Sequence, residues 1–313
     1  MVAPPPDARE EADIQEPLLY ETAPVGETVG PFIYVIPEDF NRQRLASYAI
    51  DDASFLEAPG GRAYAEPSFL CGQHSWVMRQ RFSWSGSVHA KCDIAYLKPV
   101  HVGSTIHVTG QISGKYERRG GRYVIFQLQT TDDHGEPLCR VENAMLLNFR
   151  DVIVLRNPRD GSRASAEPQQ TGTSGTAANS QQVLSLGPKT LRREDILGFF
   201  QAEERVYGPH PSIHNDDSIA RAAGLSDIIA PGRYSIGLLN CLFARTFGLR
   251  WLHGARYSVS FRQNLLPGIV VQVEASPDGA AVGDDITCFT IGSRDVSAGR
   301  TILSGTASLS LHG

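Results

Sequence analysis

The feature that most constrains the fold of this chain is a stretch near its middle that cannot form a core. Residues 157–182, NPRDGSRASAEPQQTGTSGTAANSQQ, contain almost no large apolar side chain. Without apolar burial nothing offsets the entropy lost on ordering, so we expect a flexible linker here. The linker separates a first half (25–156) from a second half (183–313), and the first half follows an acidic, proline-rich tail (1–24) that we also expect to be flexible.

The composition narrows the class of protein. With 313 residues, 41% of them hydrophobic, the chain is long enough for two domains with cores of their own. Its 34 acidic and 29 basic residues leave a formal charge of −5 and form no long basic block, which argues against a nucleic acid partner.

The spacing of the cysteines and the length of the apolar runs indicate in which cellular compartment the protein is expected. The five cysteines never form a Cys-x-x-Cys pair, so we expect neither a zinc site nor a disulfide framework, and a reducing cytoplasm fits best. The N-terminus lacks the basic start and apolar stretch of a secretory signal. No apolar run approaches the roughly 18 residues of a membrane span, so we expect no membrane partner.

The two halves share one order of predicted elements: a short helix, a loop, an apolar helix and several strands, which indicates an internal repeat. In the first half, alternation through Ile106 and Val108 predicts a half-buried strand, and a turn near 133–135 joins two more strands. When the halves are aligned, Gly103 falls opposite Gly268. Chance is the alternative, because any antiparallel meander has glycines at its turns.

The helices are clearest in the second half. The segment PGRYSIGLLNCLFARTFG is apolar around most of its circumference, which predicts a helix that is buried by a sheet. This helix is predicted to begin near Gly232 and to stop at Gly248. A second helix is predicted over LRREDILGFFQAEERVY, with Thr190 as its cap. In the first half, PSFLCGQHSWVMRQRF is the shorter counterpart of the buried helix.

The stretch GPHPSIHNDDSIARAAGLSDIIAPGRYS resembles the hydratase signature of the MaoC-like hydratase and dehydratase family. The matching positions are Gly208, Ile213, His214, Ala220, Gly224 and Gly232. The resemblance covers about residues 25–150 and 183–311. It implies an α+β double hotdog, an N-terminal and a C-terminal hotdog domain in which two curled antiparallel sheets each wrap a central helix.

Family members add water to, or remove it from, the double bond of an acyl thioester. The resemblance therefore implies a hydro-lyase for a 3-hydroxyacyl or 2-enoyl thioester of coenzyme A or a carrier protein. His214 would act as acid or base, and the Gly232 amide at the helix start would hold the thioester oxyanion. His210, Arg233 and Ser235 would contact the substrate. No cofactor or metal is implied, and a homodimer is compatible with the resemblance.

The signature is incomplete in both halves. Pro209 stands at the position of the signature's aspartate, five residues before the histidine, and Pro211 and Ser212 replace its asparagine and proline. In the first half, the equivalent stretch AIDDASFLEAP has Asp52 at the acidic position but Glu57 in place of histidine. Neither half thus keeps a complete Asp and His pair.

Several replacements for the missing carboxylate remain open. They are His210 next door, Asp216 or Asp217 one turn on, and Asp52 or Glu57 from the first half. For the aspartate pair, capping of the following helix is the favoured explanation. The alternatives to hydration are another acyl-thioester reaction, such as isomerisation, cyclisation or hydrolysis, and a non-catalytic acyl-binding or subunit-stabilising role.

Two further polar features have structural explanations beside functional ones. His74 lies two positions before Trp76 on the apolar helix of the first half, where a core or pocket-lining role is expected. The basic cluster KYERRGGRY could meet the phosphates of coenzyme A or form an exposed hairpin turn; its basic residues are Lys115, Arg118, Arg119 and Arg122. No dinucleotide fingerprint, glycine-rich phosphate loop or serine nucleophile elbow is present.

Overall fold

One antiparallel sheet of ten strands runs through the molecule. The computed structural model describes residues 16–50, 54–58, 60–83, 87–147, 183–278 and 286–310. The strands are β1 (Glu16–Pro17), β2 (Thr28–Val35), β3 (Phe82–Ser83), β4 (Val88–Tyr96), β5 (Thr105–Arg118), β6 (Gly121–Thr131), β7 (Pro137–Leu146), β8 (Leu184–Thr190), β9 (Arg256–Phe261), β10 (Val270–Pro277), β11 (Ile286–Asp295) and β12 (Arg300–Ser310). Their order in the sheet is β2-β5-β6-β7-β4-β9-β12-β11-β10-β8, while β1 and β3 form a separate parallel pair.

The helices are distributed unequally between the halves. The α-helices are α1 (Phe40–Ser47), α2 (His74–Val77), α3 (Arg193–Tyr207), α4 (Asp217–Ala222) and α5 (Arg233–Phe247). Short 3₁₀ turns cover Ser54–Leu56, Pro67–Gly72, Met78–Gln80 and Gly248–Leu252. None of these helices is both long and apolar enough to cross a membrane.

The expectation of two separate sheets differs from the structure, in which β4 and β9 pair antiparallel from Lys91 opposite Ser260 to Ala95 opposite Arg256. The innermost strands of the two halves satisfy each other's backbone groups, so the halves share one sheet. The described part of the first half contains no continuous central helix, since two 3₁₀ turns flank the single turn of α2. In the second half, α5 runs unbroken to Gly248 (φ 66°), where the sequence predicted its end.

The internal repeat is visible in matching contacts. The Ala65 N–H donates to the Val100 carbonyl at 2.7 Å, and the Ala230 N–H donates to the Leu265 carbonyl at 2.8 Å. The alignment that placed Gly103 opposite Gly268 also placed Val100 opposite Leu265, and this correspondence is confirmed. Buried Ile106 and Val108 on β5 likewise confirm the predicted alternation.

Both outer strands of the sheet carry a Gly-Pro pair at an irregularity in their pairing. In β2 the pair is Gly30–Pro31, and in β8 it is Gly187–Pro188. A Cβ on Gly30 would lie 2.7 Å from the Val108 carbonyl, and one on Gly187 would lie 2.8 Å from the Val271 carbonyl. Proline at an edge strand limits further strand pairing, so the repeat ends each half with the same protected edge.

Two local expectations differ from the structure. Part of the predicted flexible tail is held against the first half, because the Leu18 N–H donates to the Ser83 carbonyl at 2.8 Å and the Leu18 side chain is buried. Thr190 does not cap α3, because it still pairs with Val270 at the end of β8. The cap is formed instead at Arg192, whose N–H donates to the Asp195 carboxylate at 2.9 Å. The tail before residue 16 and the predicted linker lie outside the described residues.

A buried cluster of charges connects the halves. Arg44 Nη2 on α1 is 2.7 Å from Glu203 Oε1 on α3, and Glu203 also pairs with Arg233 at the start of α5. Arg44 Nε lies 3.7 Å from Glu66 Oε2. All four side chains are almost fully buried. Two cations therefore face two carboxylates, which keeps this part of the core electrically balanced.

Candidate active site

A cavity of about 410 Å³ lies between the two halves at the start of α5. From the second half it is lined by the loop between α3 and α4 (208–216, the signature loop), by the first residues of α5 and by Phe261. The first half contributes His74, Ser75 and Arg79, and His89 from β4. A larger hollow of about 1010 Å³ lies along the strands and contains none of the predicted site residues.

His214 faces this cavity as a neutral base. Its Nδ1 lies 2.7 Å from the Ile229 carbonyl, which can only accept, so Nδ1 carries the proton and Nε2 keeps its lone pair. The loop backbone is also held, since the His214 N–H donates to Ser212 Oγ at 3.2 Å. Burial, and next the positive charge of Arg233, lower the pKa of His214 to about 3. The imidazole is therefore unprotonated at neutral pH.

The start of α5 offers backbone donors. Gly232 precedes the helix, and neither its N–H nor that of Arg233 has an acceptor among the described residues. The Tyr234 N–H is already used, donating to the Pro231 carbonyl at 2.8 Å. Free amides at a helix start favour negative charge. Packing also requires glycine here, because a Cβ would come within 2.5 Å of the Phe261 ring.

The other residues expected to contact the substrate differ in their placement. Arg233 lines the cavity, but its guanidinium is already engaged in an ion pair with Glu203. Ser235 is fully buried and donates to Ser293 Oγ on β11 at 3.0 Å. It does not line the cavity, because the first turn of α5 directs its side chain towards the sheet. We therefore do not retain Ser235 as a substrate contact.

Two imidazoles of the first half, His74 and His89, form part of the wall, and a pocket-lining or core position is what the sequence predicts for His74. Asn143 Nδ2 donates to His74 Nδ1 at 2.7 Å and to the Cys71 carbonyl at 2.9 Å, while Asn143 Oδ1 lies 2.7 Å from His89 Nε2. His74 Nε2 is 3.3 Å from Ser75 Oγ. Asn143 could not be identified from the sequence, because nothing in β7 distinguishes it from other polar strand residues. Its amide fixes both rings.

The described residues that line the cavity include no aspartate or glutamate. Glu57 is exposed, bridges to Ala63 and lies outside the wall, and Asp52 lies outside the described residues. Asp216 caps α4, accepting from the Ser218 N–H at 2.7 Å, and Asp217 pairs with Arg193 at 2.6 Å. The capping explanation is thus confirmed for Asp216, and none of the three described carboxylates reaches the site.

His210 does lie in the wall. Its backbone N–H donates to Glu204 Oε1 at 3.0 Å, and its ring is edge-on to Trp76 with centroids 5.4 Å apart. His210 Nε2 is buried without a hydrogen-bond partner among the described residues. Burial, and then Arg79, lower the pKa of His210 to about 4, so this ring is neutral as well. Pro209, by contrast, is exposed and outside the wall.

The predicted basic cluster lies elsewhere, at the hairpin between β5 and β6. Lys115 Nζ donates to the Tyr20 and Glu21 carbonyls, each at 2.9 Å, and Arg122 pairs with Glu21. These contacts tie the hairpin to the N-terminal segment. Within the described ranges, no three His, Cys, Asp or Glu side chains converge as ligands for a metal ion.

No family model and no curated protein sequence matches the chain. A MaoC-like dehydratase structure is 15% identical, with a TM-score of 0.65 over 93% of this chain and 99% of its own. The peroxisomal multifunctional enzyme type 2 of Drosophila melanogaster is 14% identical, with a TM-score of 0.61 over 90% of this chain and 48% of that one. A Mycobacterium tuberculosis protein with a double hotdog fold is 13% identical, with a TM-score of 0.58 over 94% of this chain and 98% of its own.

These identities are low, so the likeness concerns the fold. The resemblance of the signature loop and the likeness of the whole fold point to the same group of proteins. The chain therefore has the hotdog fold, in the double arrangement of its mycobacterial neighbour, and shares it with MaoC-like dehydratases.

Proposed function

We propose that the protein binds an acyl thioester in the cavity between its halves and interconverts a 2-enoyl and a 3-hydroxyacyl thioester. The observation that carries this proposal is the presence of His214 Nε2 and the free amides at the start of α5 around one cavity. A proton acceptor and an oxyanion donor are the two elements that addition of water to an activated double bond needs.

The reaction follows from the state of these groups. In the hydration direction, His214 Nε2 takes a proton from water while the water oxygen bonds to the β-carbon. The electrons of the double bond pass to the thioester oxygen, which the Gly232 and Arg233 amides stabilise. The imidazolium then returns its proton to the α-carbon. Dehydration is the reverse sequence.

One imidazole suffices for this sequence because the proton that it removes is the proton that it returns. A wall without a carboxylate is compatible with such a one-base route. Coenzyme A and a carrier protein present the same thioester, so the proposal covers both carriers. The fold shared with MaoC-like dehydratases supports this substrate class.

A second candidate is a non-catalytic acyl-thioester-binding protein. The absence of aspartate and glutamate from the described wall favours it, because the family's signature pairs its histidine with a carboxylate and such units lose most of their rate when one member is removed. Binding affinity and turnover distinguish the two candidates.

The test is hydration of crotonyl-CoA, followed as loss of the enoyl absorbance, with acetoacetyl-CoA binding measured by calorimetry. We expect His214→Ala to lower kcat by about 100-fold or more, as for loss of a general base, and to leave the Kd within a few fold. The control is His134→Ala, which removes an exposed imidazole at the β6–β7 turn.

Binding without turnover across a panel of enoyl thioesters would instead establish the second candidate. Mass spectrometry of the same reaction mixtures detects isomerised, cyclised or hydrolysed products, which would show that the cavity performs another acyl-thioester reaction. Equal kcat for His214→Ala and the unsubstituted protein would contradict the role of His214.

A further inference from the structure

His210 is the one wall imidazole with a buried ring nitrogen that lacks a hydrogen-bond partner among the described residues. His74 and His89 are both held by Asn143, and His214 is held by the Ile229 carbonyl. Buried polar atoms in folded proteins are nearly always hydrogen-bonded, and an exception at a cavity points to a ligand atom as the partner. Since His210 lines the cavity, we take a polar group of a bound ligand as the partner that its Nε2 lacks.

The backbone around His210 is rigidly held. Glu204 Oε1 on α3 accepts from the His210 N–H at 3.0 Å and from Asn215 Nδ2 at 2.9 Å. Asn215 Nδ2 also donates to the His210 carbonyl at 3.1 Å, and Asn215 Oδ1 accepts from the Ser212 N–H at 2.8 Å. One carboxylate and one amide thus fix the signature loop around His210.

The placement of residue 209, next to His210, explains why the aspartate of the signature is not needed there. Residue 209, where the signature has its aspartate, is exposed and outside the wall. The following residue, His210, lines the cavity. An imidazole can accept a hydrogen bond as a carboxylate does, so the acceptor has moved by one residue along a loop whose backbone holds both positions.

We propose that His210 is the second catalytic group of this site, and that its Nε2 accepts a hydrogen bond from the water, or from the β-hydroxyl, that reacts beside His214. This inference rests on the proposed hydration. One O–H of the attacking water gives its proton to His214 Nε2, and the other O–H binds His210 Nε2. The water oxygen then directs a lone pair at the β-carbon. His210 itself gains and loses no proton.

The experiment compares His210→Ala with His210→Gln in the full-length protein. We expect His210→Ala to lower kcat for crotonyl-CoA about 10- to 100-fold with acetoacetyl-CoA affinity unchanged. His210→Gln should recover part of this loss, because its amide oxygen accepts a hydrogen bond. The double variant with His214→Ala should be no slower than His214→Ala alone, since residues that act as one unit are not additive.

Pro209→Asp is the matched control. It restores the residue of the signature at an exposed position, and we expect kcat within twofold of the unsubstituted protein. A large gain in kcat would overturn the inference, because the acceptor would then belong at position 209. Full activity of His210→Ala, or multiplicative losses in the double variant, would overturn it as well.

A second readout separates this inference from the proposed function. Nitrogen NMR of the imidazoles is recorded with 3-hydroxybutyryl-CoA and with butyryl-CoA, which lacks the hydroxyl. We expect the His210 Nε2 signal to shift with the first ligand only. If turnover is absent but this shift occurs, the proposed hydration fails while the contact to the β-hydroxyl stands. If neither ligand shifts the signal, His210 has no such role, whatever the activity.

Discussion

At the scale of residues, the site depends on side chains whose partners decide their chemistry. His214 was identified from its place in the signature, but its neutral state with a free Nε2 depends on the Ile229 carbonyl. His210 was one of several replacements that the sequence left open, and burial in the wall distinguishes it from Glu57. Residue spacing identifies candidates, whereas burial and hydrogen bonds decide which of them can react.

Acid should destabilise this protein through its buried imidazoles. Burial is the main cause that lowers the pKa of His214 to about 3 and those of His89 and His210 to about 4. An unfolded histidine has a pKa of about 6.5. Between these values the unfolded chain binds protons that the folded chain does not, so the free energy of unfolding falls as the pH drops below about 6.5.

We therefore expect the Tm to fall between pH 7 and pH 5. The fall should be smaller for His214→Gln, because this variant lacks one of the imidazoles that bind a proton on unfolding. Thermal unfolding followed by circular dichroism at several pH values measures this. His134→Gln, at an exposed turn, is the control and should keep the original slope. Identical slopes for His214→Gln and the unsubstituted protein would contradict this account.

At the scale of elements, glycines decide how closely the central segments of the two halves pack. A Cβ on Gly237 of α5 would overlap the Tyr48 hydroxyl and lie 3.2 Å from Ser68 Oγ. A Cβ on Gly72 would lie 2.5 Å from Arg233 Nε. Periodicity predicted α5 and its end at Gly248, but these close approaches involve residues distant in sequence, and nothing local revealed them.

We expect Gly237→Ala to lower the free energy of unfolding by about 1–3 kcal/mol, the usual cost of overpacking a core. Gly198→Ala on α3 is the matched variant, because the nearest atom to its Cβ would be Ser47 Cβ at 3.9 Å. There, alanine should be neutral or stabilising by up to about 1 kcal/mol through helix propensity. Denaturant unfolding measures both changes, and equal effects at the two positions would refute the packing argument.

At the scale of the whole molecule, the two halves complete each other. β4 pairs with β9 across the junction, Arg44 of the first half pairs with Glu203 of the second, and the cavity wall draws on both. In either half alone the inner strand would be paired along one edge only, and Arg44 of the first half would lose its ion pair with Glu203. We infer that the halves fold as a single cooperative unit.

Removal of residues 183–313 should consequently leave an aggregation-prone first half, since β4 would become an open edge and Arg44 a buried charge without Glu203. Size-exclusion chromatography and circular dichroism of the fragment measure this. The control is the full chain cut by a protease site placed within 157–182, in which both parts are retained and should stay associated. A soluble, monomeric and folded fragment would show that the halves are independent.

The sequence by itself determined the elements that short-range forces specify: the alternating strands, the helix that stops at Gly248, the cap at Asp216 and the repeat that pairs Gly103 with Gly268. Only the tertiary structure decided that the halves share one sheet and that His210, rather than a carboxylate, enters the cavity. Local patterns reflect the chain's own hydrogen bonds and side-chain periods. Strand partners and cavity walls depend on contacts between residues far apart in sequence, which no local pattern records.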